Sequence, residues 1–126
     1  VRKLATHTFY SATTPSQIAA ARVLEGGGDW LTDARASYLA TGTKAAAILG
    51  VDPPAGGTFL FVNVADVVAR RGMDGLLEDC LSANLLIAPG YACGEGFGDH
   101  VRVCFTSVAP DVALRGIRRL AQVLGT

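Results

Sequence analysis

Apolar residues recur at helical spacing in several stretches of the chain and alternate with polar ones in a single stretch. In "TTPSQIAAARVLEGGG", Ile18, Ala21, Val23 and Leu24 give a short apolar face. Thr14 is placed to cap that helix, Pro15 fits its first position, where a missing N–H costs nothing, and Gly26 to Gly28 end it. A longer helix is predicted from Trp30 to about Leu49, where Trp30, Leu31, Ala34, Tyr38, Ala45, Ile48 and Leu49 recur near the helical period. Gly42 weakens its middle and predicts a bend, and Gly50 is its expected C-cap. "GMDGLLEDCLSAN" reads as a short amphipathic helix with Leu76, Leu77, Cys80 and Leu81 inward. Pro110 opens a last helix with Val112, Leu114, Ile117, Leu120, Ala121 and Leu124 as its apolar positions, and with Arg115, Arg118 and Arg119 facing water.

Three stretches read as strands. "TFLFVNV" is β-branched and aromatic, and follows the turn "DPPAGG". "LLIAP" reads as a short buried strand. In "HVRVCFTS", Val101, Val103 and Phe105 point one way, and His100, Arg102, Cys104 and Thr106 the other. The order helix, helix, strand, helix, strand, strand, helix predicts an α+β fold: a small antiparallel or mixed sheet with helices on one face.

Composition narrows the picture. The 126 residues suit one domain, and with 50% hydrophobic and 17% charged residues a packed core is expected. Eleven Lys+Arg balance eleven Asp+Glu, which leaves no electrostatic footprint for nucleic acid or an anionic membrane. No apolar run approaches the roughly 20 residues of a membrane span. Cys80, Cys93 and Cys104 are odd in number and lack a metal spacing, so they read as reduced thiols of a cytoplasmic protein. Two histidines far apart in sequence make no metal site. "VRKLATHTFYS" reads as the end of a helix running into something else, so the chain is expected to be a piece of a longer protein.

Few residues offer chemistry by pattern alone. Arg102 stands on the polar side of an alternating strand, after a loop with Gly94, Gly96 and Gly98. It is either a solvated surface residue or a receptor for a carboxylate, whose two oxygens match two parallel guanidinium N–H groups. Spacing does not decide between these. The glycines would let backbone come close to a ligand. "GEGFG" is not a phosphate cradle, because its spacing is wrong and a strand follows instead of a helix. His7 and His100 are candidate acid–base groups, and neither Lys3 nor Lys44 sits in a nucleophile motif.

"APGYACGEGFGDHVRVCFT" resembles the carboxyl-terminal signature of the class I/II, fold-type I aminotransferases that use pyridoxal phosphate: Pro-Gly, a glycine-rich loop, then an arginine on a strand before Ser/Thr-Phe. "TFYSATTPSQIAAARVL", "PPAGGTFLFVNV" and "GIRRLAQVL" resemble three further segments of that family, in the same order along the chain. Two positions depart from it: Cys93 stands where the family has Phe, and "ATGTKAAAI" replaces an arginine-rich stretch.

The resemblance implies that residues 1–28 end the large cofactor-binding domain, and that 29–126 form an interdomain helix and the small C-terminal domain. It implies that Arg102 binds the substrate α-carboxylate. His7 lies where some members carry an arginine for a second, distal carboxylate of the neighbouring subunit's substrate. Tyr10 and Ser11 match a segment near the cofactor of the dimer partner. The Schiff-base lysine and the main contacts to pyridoxal phosphate would lie upstream of Val1. The implied protein is a homodimer acting on amino acids and keto acids, or a same-fold enzyme of cyclisation, elimination or replacement. A non-catalytic ligand-binding domain of the same fold is the third possibility.

Overall fold

The computed structural model describes residues 2–8 and 10–125. By internal contacts the chain forms two compact units, 1–35 and 36–126, which divide within one long helix. In the first unit, α1 (Arg2–Thr8) is followed by α2 (Thr14–Gly26) and by the beginning of α3 (Gly28–Leu49). The N-cap of α2 is Thr13, not Thr14, and its hydroxyl lies 2.9 Å from that of Ser16. Only Gly27 separates α2 from α3, so Gly26 and Gly28 are helical. The apolar face expected on α2 is present but uncovered: Ile18, Val23 and Leu24 are exposed, as are Trp30 and Leu31 of α3.

The second unit is α+β. It comprises the rest of α3, then β1 (Phe59–Asn63), α4 (Ala65–Ser82), β2 (Ala88–Pro89), a 3-10 turn over Gly90–Cys93, β3 (His100–Cys104) and α5 (Pro110–Leu124). The three strands form one antiparallel sheet in the order β1-β3-β2. β1 and β3 pair with Phe61 opposite Arg102 and Val62 opposite Val101. Leu60, Val62, Val101 and Val103 turn to one face and are buried with Ala46 and Leu49 of α3, Leu76 and Cys80 of α4, and Ile117 and Leu120 of α5. Helices thus cover one face of the sheet. Among the described residues, no helix is long and apolar enough to cross a membrane.

Several expectations are corrected. "LLIAP" contributes only Ala88 and Pro89 to the ladder, and Leu86 is 91% exposed. Proline cannot donate to a ladder, which keeps this segment short and at the sheet edge. The helix expected from Gly72 begins at Ala65, and its first half ends at Gly72. There φ is 73° and ψ 167°, a break that glycine alone accommodates without a steric penalty. After the break Met73 is buried, and Leu81, expected inward, is exposed. Arg71 spans the break: it pairs with Asp79, and its Nη2 donates to the Val123 carbonyl at 3.2 Å.

Gly42 lies within one continuous α3. It is buried, and a Cβ there would lie 2.9 Å from Pro54 Cγ and 3.0 Å from Phe105 Cζ. α3 does end as expected, with Gly50 at φ 67° and the Val51 N–H donating to the Ala46 carbonyl at 3.0 Å. In α5, Val112 is exposed and Ala113 is buried in its place, while Arg115, Arg118 and Arg119 face solvent.

Candidate functional site

The uncovered face of the sheet follows from strand alternation. With Leu60, Val62, Val101 and Val103 turned to the core, Phe59, Phe61, Asn63, His100, Arg102 and Cys104 share the other face. No helix of the second unit covers these residues, and Phe59 and Phe61 are 45% and 42% exposed. A sheet face carrying two open phenylalanines beside an arginine and a histidine is unusual for plain surface.

Arg102 lies at the centre of this face, in the middle strand. Its guanidinium carbon sits 4.7 Å from the centre of the Phe59 ring. The cation–π contact places the guanidinium against the Phe59 ring. Among the described residues no carboxylate pairs with Arg102, whereas Arg22, Arg71 and Arg115 each have an acidic partner.

Beside Arg102 lies an aromatic cluster. The His100 imidazole stacks on Phe61 at 4.9 Å and 16°, and Phe97 meets both rings edge-on, at 5.1 Å from Phe61 and 5.8 Å from His100. His100 Nδ1 lies 2.5 Å from Asp99 Oδ1. Phe61 and His100 border an open depression of about 500 Å³ that reaches Gly50, Val51, Asp52, Pro54, Phe59 and Asn63. The loop after α3 therefore forms one wall and β1 the floor.

Gly90 holds the glycine loop against this cluster. A Cβ at Gly90 would lie 2.3 Å from the Phe97 carbonyl oxygen and 2.6 Å from that of His100. Close backbone approach thus occurs at the Gly of "APG", where the sequence pointed instead to Gly94, Gly96 and Gly98. Gly94 and Gly96 are turn residues, at φ 145° and 86°. Gly90→Ala must push those carbonyls apart and is expected to cost about 1–3 kcal/mol. Chemical denaturation checks this, and an unchanged midpoint contradicts the packing.

The thiols differ in environment. Burial acts to raise Cys104, but hydrogen bonds from Thr106 and Ser107 outweigh it, so its pKa falls below the ordinary thiol value. Cys80 is raised, first by burial and then by Asp79, with Arg71 opposing. All three cysteines are free.

The other expected site residues belong to the first unit. His7 is in the last turn of α1 and is exposed. Tyr10 follows it at φ 64°, with its N–H donating to the Ala5 carbonyl at 2.9 Å and its side chain 82% exposed. Ser11 is exposed as well. Within the second unit, the structure joins Arg102 to Phe59, Phe61, Phe97, Asp99 and His100. Sequence reading singled out Arg102 and His100 alone. Alternation along "TFLFVNV" was the available signal for Phe59 and Phe61, since it puts them on the face opposite Leu60 and Val62. No protein-family model, curated protein or solved structure matches the chain.

Proposed function

We propose that the chain is the C-terminal part of a pyridoxal-phosphate-dependent aminotransferase, with Arg102 as the receptor for the substrate α-carboxylate. One observation carries this reading: an exposed arginine on a central strand, laid over Phe59 and without a carboxylate partner among the described residues. A guanidinium without a carboxylate partner keeps its paired N–H donors for a planar anion. The resemblance of "APGYACGEGFGDHVRVCFT" to the family signature supports the same residue. The uncovered apolar side chains of α2 and early α3 fit a remnant of a large domain, whose partner surface would be the rest of that domain.

The residues present fit a supporting role toward the cofactor. Tyr10 offers an accessible phenol and Ser11 an accessible hydroxyl, both suited to donate to a phosphate held by the partner subunit of a homodimer. Lys3 and Lys44 stand exposed on helices. When bound, the cofactor supplies the electron sink for Cα–H cleavage. This chain's part is to fix the carboxylate, so that the Cα–H bond is presented in one orientation. Position 7 carries a histidine where some members of the family have an arginine for a second carboxylate, so acidic side chains are not the expected substrates.

Product analysis of the full-length protein tests this. With an amino acid and a keto acid acceptor, the expected outcome is a new keto acid paired with a new amino acid. Release of ammonia, or a cyclised product, would assign a same-fold elimination or cyclisation enzyme. A purified protein with no cofactor absorbance and no turnover would make it a ligand-binding domain in a cytoplasmic setting.

A further inference from the structure

The depression beside Arg102 is lined by aromatic, apolar and polar side chains. Phe59 and Phe61 give it aromatic surface, the exposed Asp52 contributes a carboxylate, and His100 closes one side; among the described residues no lysine or arginine lines it. His100 is fixed by its neighbours, stacked on Phe61 and bonded through Nδ1 to Asp99. The Asp99 carboxylate only accepts, so His100 Nδ1 donates to it. Aromatic surface and the Asp52 carboxylate attract a cation, and the Asp99 carboxylate behind the imidazole adds to that field.

Arg102 leans over Phe59, the ring that also lines the depression. His100 and Arg102 stand two residues apart on one face of β3, a separation of about 7 Å along the strand. A molecule of amino-acid size can engage both.

We infer that the depression receives a cationic side chain, so that the substrate is a basic amino acid: its α-carboxylate on Arg102, its ammonium or guanidinium against Phe59, Phe61, His100 and Asp52. This rests on the carboxylate role proposed for Arg102 and adds the substrate class. His100 and Asp52 are then the specificity-determining residues.

Calorimetric titration of the full-length protein with L-lysine, L-norleucine and cadaverine tests the inference. Norleucine lacks only the ε-ammonium, and cadaverine only the carboxylate. L-lysine is expected to bind about tenfold more tightly than L-norleucine, the scale of a charge-assisted contact. Asp52→Asn and His100→Phe should each shrink that ratio and leave L-norleucine binding intact. Asp52 is exposed, so its variant carries little risk to folding, and phenylalanine keeps a ring stacked on Phe61. Equal affinity for L-lysine and L-norleucine, an unchanged ratio in both variants, or no L-lysine binding overturns the inference. The Arg102→Ala variant separates the two readings. If it leaves L-lysine binding intact while Asp52→Asn weakens it, the carboxylate role fails and the cation site stands. If it weakens both amino acids and leaves cadaverine unchanged, the carboxylate role stands, and the lysine-to-norleucine ratio alone decides the cation site.

Discussion

On the proposed function, replacing Arg102 by alanine in the full-length protein is expected to lower kcat/KM for an amino-acid substrate by about 2–4 kcal/mol, roughly 30-fold to 1,000-fold. The loss has a local cause. β3 is paired on both sides, to β1 and to β2, and its core-facing residues are Val101 and Val103, so removing an exposed side chain leaves the sheet intact. What goes is a two-donor grip on a carboxylate and the orientation it imposes. Arg102→Lys should recover only part of the activity, because an ammonium is a point charge without the parallel donors. Steady-state kinetics with circular dichroism as a folding control checks both variants. Near-normal kinetics in Arg102→Ala would sink the assignment.

The second large effect concerns stability. Phe105 is 2% exposed, directly follows β3, and extends its pairing through an N–H bond to the Thr58 carbonyl at 3.2 Å. Its ring packs where Gly42 leaves α3 without a side chain. Phe105→Ala removes the ring from a fully packed site that α3 and the sheet cannot readily collapse to fill, a change expected to cost about 3–5 kcal/mol. That is a large share of the roughly 5–15 kcal/mol that holds a domain folded. Thermal unfolding checks it, with a marked drop in the transition of this domain expected. A loss under about 1 kcal/mol would mean that the ring is not packed as described.

The alternation of Val101, Val103 and Phe105 against His100, Arg102 and Cys104 was legible because a strand has a period of two and one buried face. The same rule put Phe59 and Phe61 beside Arg102 once the register was known, but register is a tertiary fact that no single strand states. α4 was half hidden, since a helix broken at a left-handed glycine keeps no common phase across the break. "LLIAP" looked like a strand by composition, yet its apolar residues are only half buried or exposed, and proline limits its pairing. The Asp99–His100 pair could not be read from the chain. Neighbours on a strand point to opposite faces, and it is the turn ahead of β3 that brings the carboxylate round to the imidazole. Asp52 joins the same depression from a loop far away in sequence.

Binding of the preferred amino acid, compared with the amine it gives on decarboxylation, tests the carboxylate role of Arg102 most directly. Titrating both ligands into wild-type and Arg102→Ala protein isolates the contribution of the carboxylate. The expected result is a preference of tenfold or more for the amino acid in the wild type, which disappears in Arg102→Ala. A preference of the same size in both proteins would place the carboxylate elsewhere and contradict the role assigned to Arg102.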